Sequence, residues 1–368
     1  MTVRRNAWTE LDVETLQENL RAMRTALAGR SECILVVKAN AYGHGMEVVA
    51  RHAFEAGVRR FVVARMDEAL ALRPFLSAAQ ILLLGAVWPE DVDALVERRI
   101  VPVLVSEAQA AALAREVRRR GMEVPCHLKV DTGMGRFGVP WEEAAVVLAR
   151  LQSAGGLLIQ GICSHFASAG QPGGRTTELQ AMRFQQVERE CAAAGVTGLF
   201  RHISNSVAFL LHPEWDMDGV RLGILAYGYS GKIANLRIHT RPCLQWKTRV
   251  VTVKRVKAGE SVGYLGTFTA MEPMQVATID VGYSDGFPRL MSNKGAVLIG
   301  GARRRVLGRV SMNFAAVDAG PEGAVQEGDE VVLIGRQGTE ALWADELARW
   351  CQTIPYEILT NIRNPPGL

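Results

Sequence analysis

The stretch Ile34-Leu-Val-Val-Lys-Ala-Asn-Ala-Tyr-Gly-His-Gly45 decides how the rest of the chain is read. Four consecutive apolar residues, Ile34 to Val37, contain no turn former and predict a fully buried strand. Asn40, Gly43 and Gly45 are turn chemistry. Lys38 therefore stands at the C-terminal edge of a buried strand. A lysine there is either a solvated strand terminator, the commoner circumstance, or a reactive amine. Here asparagine, tyrosine, glycine and histidine follow it closely. They add a hydroxyl, backbone donors and tight curvature, as a Schiff-base lysine with an anionic cofactor requires.

Outward from this stretch the pattern repeats. A short strand-like piece, Asn6 to Leu11, and a helix, Val13 to Leu27, precede the lysine strand, Cys33 to Lys38. Further strands are predicted over 61–64, 81–84, 101–105, 124–130, 157–163, 200–203 and 221–226. Helices are predicted over 46–56, 66–75, 89–98, 106–120, 141–154 and 176–194. Ser106 supplies a cap for one of them and Pro89 a first-turn proline for another. Roughly eight strand–helix units in about 230 residues match a closed (β/α)8 TIM-type barrel. An open doubly wound sheet is the alternative, but no GxGxxG follows the first strand.

A parallel barrel gathers its chemistry where its strands end. The sequence does the same. Lys38 and Tyr42 close one strand; Lys129, Asp131 and Arg136 close another. His165 follows a third, Asn205 and Ser206 a fourth, and Arg221, Gly223 and Ile224 lie in the last unit. His165 can also be read as a hydrogen-bonded core histidine. Its strand-end position in Ser-His-Phe favours a site.

From about Arg241 the pattern changes to short strands broken by Gly, Asn and Asp, over 250–256, 276–281, 295–299, 306–307, 314–317 and 329–334, with a helix over 344–349. This predicts a barrel over 1–236, whose first few residues can join the second unit, and a mostly β C-terminal domain over 237–368, with a hinge around Lys232 to Thr240. Tyr264, Tyr283, Met312 and Tyr356 fall in the second part. A tyrosine in a β-domain is usually packing, but the glycines beside Tyr264 and Tyr283 let backbone or ligand come close.

The whole chain bounds the reading. It has 368 residues, 48% of them hydrophobic and 22% charged, which is globular composition. A formal charge of +4 is too small to imply nucleic-acid binding. The runs Arg118 to Arg120 and Arg303 to Arg305 read as solvated faces or loops. Six cysteines without a CxxC pair argue against a metal site, and Cys33, Cys126 and Cys163 read as buried thiols. No apolar run reaches membrane-spanning length and no signal-peptide core precedes Leu11, so a cytoplasmic protein is expected.

Together, Val37-Lys-Ala-Asn-Ala-Tyr-Gly-His-Gly, Lys129-Val-Asp-Thr-Gly-Met-Gly-Arg, His202-Ile-Ser-Asn-Ser, Val220-Arg-Leu-Gly-Ile, Val262-Gly-Tyr, Gly282-Tyr-Ser-Asp-Gly and Pro355-Tyr-Glu resemble, in order and spacing, the alanine racemases. The resemblance runs from about Ala7 to Tyr356. It implies pyridoxal 5'-phosphate as cofactor and interconversion of L- and D-alanine by two bases, for cell-wall synthesis or D-alanine catabolism. Lys38 would carry the cofactor and act as one base, and Tyr264 would be the other, tuned by His165 with Arg221 behind it. Arg221 would face the ring nitrogen. Tyr42, Ser206, Gly223, Ile224 and Tyr356 would hold the phosphate. Arg136 and Met312 would meet the substrate, and Lys129, in family members often carbamylated, would position Arg136. His202, Asn205 and Tyr283 would support these groups. Family enzymes are head-to-tail homodimers whose Tyr264 and Met312 equivalents reach the partner's site, so shared active sites are expected. Asn313, Leu222 and the tail Arg363-Asn-Pro-Pro-Gly depart from the family pattern. A serine or broader amino-acid racemase is the nearest alternative, then a decarboxylase of the same fold; a cofactor carrier without catalysis would need no Tyr264 domain.

Overall fold

The computed structural model describes residues 7–171, 175–231, 233 and 237–363. Part of the expected hinge and most of the divergent tail lie outside them. The strands before the domain change are β1 (Trp8–Leu11), β2 (Glu32–Val36), β3 (Arg60–Val63), β4 (Gln80–Leu83), β5 (Ile100–Leu104), β6 (Val124–Asp131), β7 (Val139–Pro140), β8 (Leu157–Cys163), β9 (Phe200–His202) and β10 (Gly219–Leu222). Eight of them pair in parallel in the order β10-β2-β3-β4-β5-β6-β8-β9, with β7 beside β6. The ring closes where the Arg221 N–H donates to the Ser204 carbonyl at 3.1 Å and Asn205 bridges to Arg221. This is the expected (β/α)8 architecture. Its strands are near-continuous apolar runs (Ile34 to Val36, Phe61 to Val63, Ile81 to Leu83) because both faces are covered. Local signals set the helix starts: Asp12 accepts the Thr15 N–H at 2.9 Å and Ser106 accepts that of Gln109 at 3.2 Å.

The second part is antiparallel: β11 (Leu244–Val256), β12 (Ser261–Val262), β13 (Phe268–Thr269), β14 (Met274–Ile279), β15 (Ala296–Ile299), β16 (Ala302–Leu307), β17 (Ala315–Gly320), β18 (Glu330–Gln337) and β19 (Glu340–Leu342). The order is β1-β11-β14-β17-β16-β15-β18-β19, and β18 also pairs with β11, closing a small barrel. The N-terminal strand β1 thus belongs to this sheet, with Leu11 opposite Leu244. A last helix, Pro355–Thr360, returns to the mouth of the parallel barrel.

Two local expectations are corrected. The lysine strand ends at Val36, not Lys38, because the chain turns left-handed after Lys38. The last parallel strand is Gly219–Leu222, and residues 223–226, expected to be strand, form turns in which the Ala226 N–H reaches the Gly223 carbonyl. Arg303 to Arg305 form a solvated strand face on β16, one of the two readings open for them, with Arg303 and Arg305 exposed and Arg303 paired with Glu340 and Glu346. All six cysteines are buried free thiols. No helix among the described residues is long and apolar enough to cross a membrane.

Candidate active site

A cavity of about 240 Å³ opens at the C-terminal end of the parallel barrel. Lys38, Tyr42, Lys129, Arg136, His165 and Arg221 converge on it, with Asn205, Ser206, Gly223, Ile224 and Tyr356 along its wall. Lys38 heads a turn in which Ala39, Asn40, Ala41 and Tyr42 all have φ between 50° and 54°. Left-handed backbone costs roughly 1–2 kcal/mol for each ordinary residue and less for Asn, so the turn persists only because its surroundings hold it. Glu68 accepts the Ala39 N–H at 2.6 Å, and Asn40 Oδ1 accepts the Met46 N–H at 2.7 Å. Gly43 closes the turn against the Leu359 carbonyl, where a Cβ would collide. Burial lowers the Lys38 pKa, Arg136 lowers it further, and Glu68 partly opposes both. The amine is therefore neutral at a lower pH than an ordinary lysine.

Arg221 lies under the cavity, 4% exposed. Its Nη1 donates to His202 Nδ1 at 2.7 Å and to the His202 carbonyl at 2.8 Å. Its Nη2 meets the Ser164 carbonyl at 2.6 Å, the Ile203 carbonyl at 2.9 Å and His165 Nδ1 at 3.0 Å. These contacts occupy both terminal nitrogens and leave the Nε–H outside the network. They also fix tautomers, since a guanidinium only donates. His165 must carry its proton on Nε2. So must His202, which then donates to His127 Nδ1 at 2.9 Å. Burial first, then Arg221 and neighbouring cations, holds His165 and His202 well below ordinary histidine pKa values, so both are neutral.

Lys129 is pulled down to about 8, chiefly by burial and also by the cations Arg221 and Arg136, against opposition from Cys163 and Asp131. Arg136 rides on the loop after β6. Asp131 shapes that loop by accepting the N–H groups of Gly133, Met134 and Gly135 at 2.9 to 3.2 Å. Among the described residues no carboxylate pairs with Arg136. On another wall the Tyr42 ring lies between those of Tyr227 and Tyr356, with centroids 5.2 Å and 5.6 Å away. A Cβ at Gly223 would fall 2.6 Å from the Tyr42 hydroxyl, and the Gly223 N–H donates to Ser206 Oγ at 3.1 Å. Only glycine lets this strand end approach the two hydroxyls so closely.

Residues 11–231 match the family described as alanine racemase, N-terminal domain, and residues 243–366 match alanine racemase, C-terminal domain. The chain belongs to the alanine racemase family. It is 41% identical over 359 residues to the alanine racemase of Symbiobacterium thermophilum, covering 97% of this chain and 95% of that protein. The crystal structure of alanine racemase from Bacillus anthracis with bound L-Ala-P superimposes with a TM-score of 0.91 at 32% identity, over 98% of this chain and 94% of that one. Alanine racemase from Bartonella henselae with covalently bound pyridoxal phosphate gives 0.88 at 29% identity, over 98% and 99%.

Placed on the structure, the residues singled out from the sequence divide in two. Lys38, Tyr42, Lys129, Arg136, His165, Asn205, Ser206, Arg221, Gly223, Ile224 and Tyr356 share one cavity, and His202 supports Arg221 beneath it. Tyr264, Tyr283 and Met312 are not there. They line a separate cleft on the β-domain with Arg289 and Arg309, and Tyr264 is 70% exposed. Sequence reading missed His127 and Glu68. His127 had a signal, since in β6 it shares a face with Lys129 two residues on. Glu68 had none, since Arg65 is no capping residue, and its reach back to the Ala64 and Arg65 N–H groups appears only in the fold.

Proposed function

We propose that this chain interconverts L- and D-alanine, with pyridoxal phosphate attached through Lys38. The observation that carries the reading is Arg221, locked by two histidines and three carbonyls with its Nε–H unspent, in the same cavity as a lysine of lowered pKa. The residues fit the cofactor: an amine to bind its carbonyl, hydroxyls of Tyr42, Ser206 and Tyr356 for its phosphate, and a donor for its ring nitrogen. When bound, pyridoxal phosphate acidifies the Cα–H of an amino acid by drawing electrons into its ring.

The chain's own groups set the fate of the proton. Arg221 offers a hydrogen bond but no transferable proton, so it leaves the ring nitrogen neutral and limits how far charge spreads. Prompt return of the proton to Cα is then favoured over side reactions. Lys38 serves one face of Cα, where its lowered pKa suits proton exchange. Racemisation needs a second base on the opposite face. We assign it to Tyr264 of the partner subunit, in a head-to-tail dimer. Tyr264, Leu265 and Met271 of this chain are 70%, 83% and 91% exposed, an apolar display suited to burial against a second copy. The His165 Nε2–H faces the cavity and would stabilise that phenolate. Arg136 holds the substrate carboxylate or the cofactor's ring oxygen. Lys129, neutral above about 8, takes up carbon dioxide as a carbamate that pairs with Arg136. Met312 of the partner subunit and Tyr356 narrow the pocket toward a methyl side chain. Tyr283 and Asn205 hold these elements, the latter by accepting the N–H groups of Val207 and Ala208. The parallel barrel is the cofactor domain, and β1 with the antiparallel strands from Leu244 onward is the domain that supplies the partner's base. Buried free thiols suit the cytoplasm.

The test is L-alanine with the cofactor-loaded protein in heavy water, following Cα–H exchange and chirality together. Exchange with loss of optical activity is expected. Exchange with retained chirality would remove the second base, and no exchange would remove alanine as the substrate.

A further inference from the structure

His44 takes no part in the site described so far, yet it is completely buried one turn from Lys38. Its Nδ1 lies 2.9 Å from the Tyr42 carbonyl. A carbonyl only accepts, so His44 carries its proton on Nδ1 and donates. Its ring stacks on Tyr227, with centroids 4.4 Å apart and planes at 28°. The Tyr227 hydroxyl in turn donates to the Val36 carbonyl at 2.9 Å. Val36 immediately precedes the segment that carries Lys38, and Tyr42 is the last residue of the left-handed turn. The stacked pair therefore grips the segment at both ends. Along this stretch four consecutive non-glycine residues hold positive φ, a backbone that of the four only Asn40 readily adopts.

We propose that His44 is a positioning residue for Tyr42: paired with Tyr227, it clamps the left-handed turn so that the Tyr42 hydroxyl stays against Gly223, where it meets the cofactor's phosphate. Burial keeps His44 near a pKa of about 4, so the donating tautomer persists across the working pH range. The inference rests on the reading of Tyr42 as a phosphate ligand. It adds that the ligand's placement depends on a histidine that touches neither cofactor nor substrate.

The test compares pyridoxal phosphate with pyridoxal, which lacks the phosphate, titrated onto the cofactor-free dimer. His44→Phe keeps a ring and removes the donor; His44→Asn keeps a donor near Nδ1 and removes the ring. His44→Phe is expected to weaken pyridoxal phosphate by about tenfold, the worth of one misplaced hydrogen bond, while pyridoxal changes less than about twofold. His44→Asn is expected to restore the preference for the phosphorylated ligand. Equal weakening of both ligands by His44→Phe, or no weakening, overturns the clamp. If the phenylalanine variant does not fold, His44→Ala takes its place: weaker pyridoxal phosphate with pyridoxal unchanged supports the clamp, and equal weakening or none overturns it. Tyr42→Phe separates the two claims. If it leaves the preference intact, the phosphate reading has failed. If it abolishes the preference while His44→Phe does not, only the clamp has failed.

Discussion

The barrel mouth and the Tyr264 cleft are built on opposite plans. At the mouth the central polar groups are held in place: Arg221 by His202, His165 and three carbonyls, Lys38 by a strained turn tied to Glu68. At the cleft, Tyr264 sits on a one-turn helix, 70% exposed, beside an 83% exposed Leu265 at φ 63°. The first is a finished surface for a small ligand. The second carries a tyrosine and apolar side chains that the described residues of this chain leave exposed. A two-base reaction explains both, if each site takes its mouth from one copy and its tyrosine from another.

Separating the two bases on two chains gives the largest test. Lys38→Ala and Tyr264→Phe should each lower racemisation by at least about a thousandfold, as expected for removal of a positioned acid–base group. Mixing the two inactive variants through dissociation and reassociation should then restore about one quarter of the wild-type rate, because half the dimers are hybrids with one intact site in two. Sites built within one chain would recover nothing, and the comparison would break.

Arg221 tests whether the mouth is as preorganised as its geometry indicates. Arg221→Lys keeps the charge but has three donors on one nitrogen, which cannot reach two histidines and three carbonyls at once. Unfolding by urea should show a loss of about 2–4 kcal/mol, as for a buried hydrogen-bonding network left partly unpaired. Activity should fall with it. An unchanged midpoint would mean the network does not hold the barrel end.

Legibility in the sequence divides along the same line. Apolar runs of four or five residues separated by capped helices spelled the parallel barrel, because burial on both faces leaves little choice of residue. The residues at its strand ends could be collected from sequence because a parallel barrel sends every strand end to one place. The left-handed turn was not legible. Ala39 and Ala41 favour no such backbone, and contacts made in the folded chain, among them those of Glu68 and Met46, hold it. The strand expected over 221–226 failed for a related reason. Its apolar residues Ile224, Leu225 and Ala226 are buried in turns and not in a ladder. The role proposed for Tyr264 came from family resemblance alone, since an exposed tyrosine in a β-domain says nothing of the chain it faces.

The smallest expected effect concerns Glu68, where the mouth's electrostatics can be read directly. Its carboxylate raises the Lys38 pKa against burial and Arg136, which lower it. Glu68→Gln removes that support and keeps an oxygen for the Ala39 N–H. The Lys38 pKa should then fall further, so its neutral fraction at a given pH rises. In the cofactor-free protein, the pH profile for reaction of Lys38 with pyridoxal should shift toward acid by a few tenths of a unit, as for a partly exposed charge in water. A shift toward alkali would mean that Glu68 acts on Lys38 through the turn's geometry, with its charge secondary, and the mouth would owe its tuned amine to backbone placement alone.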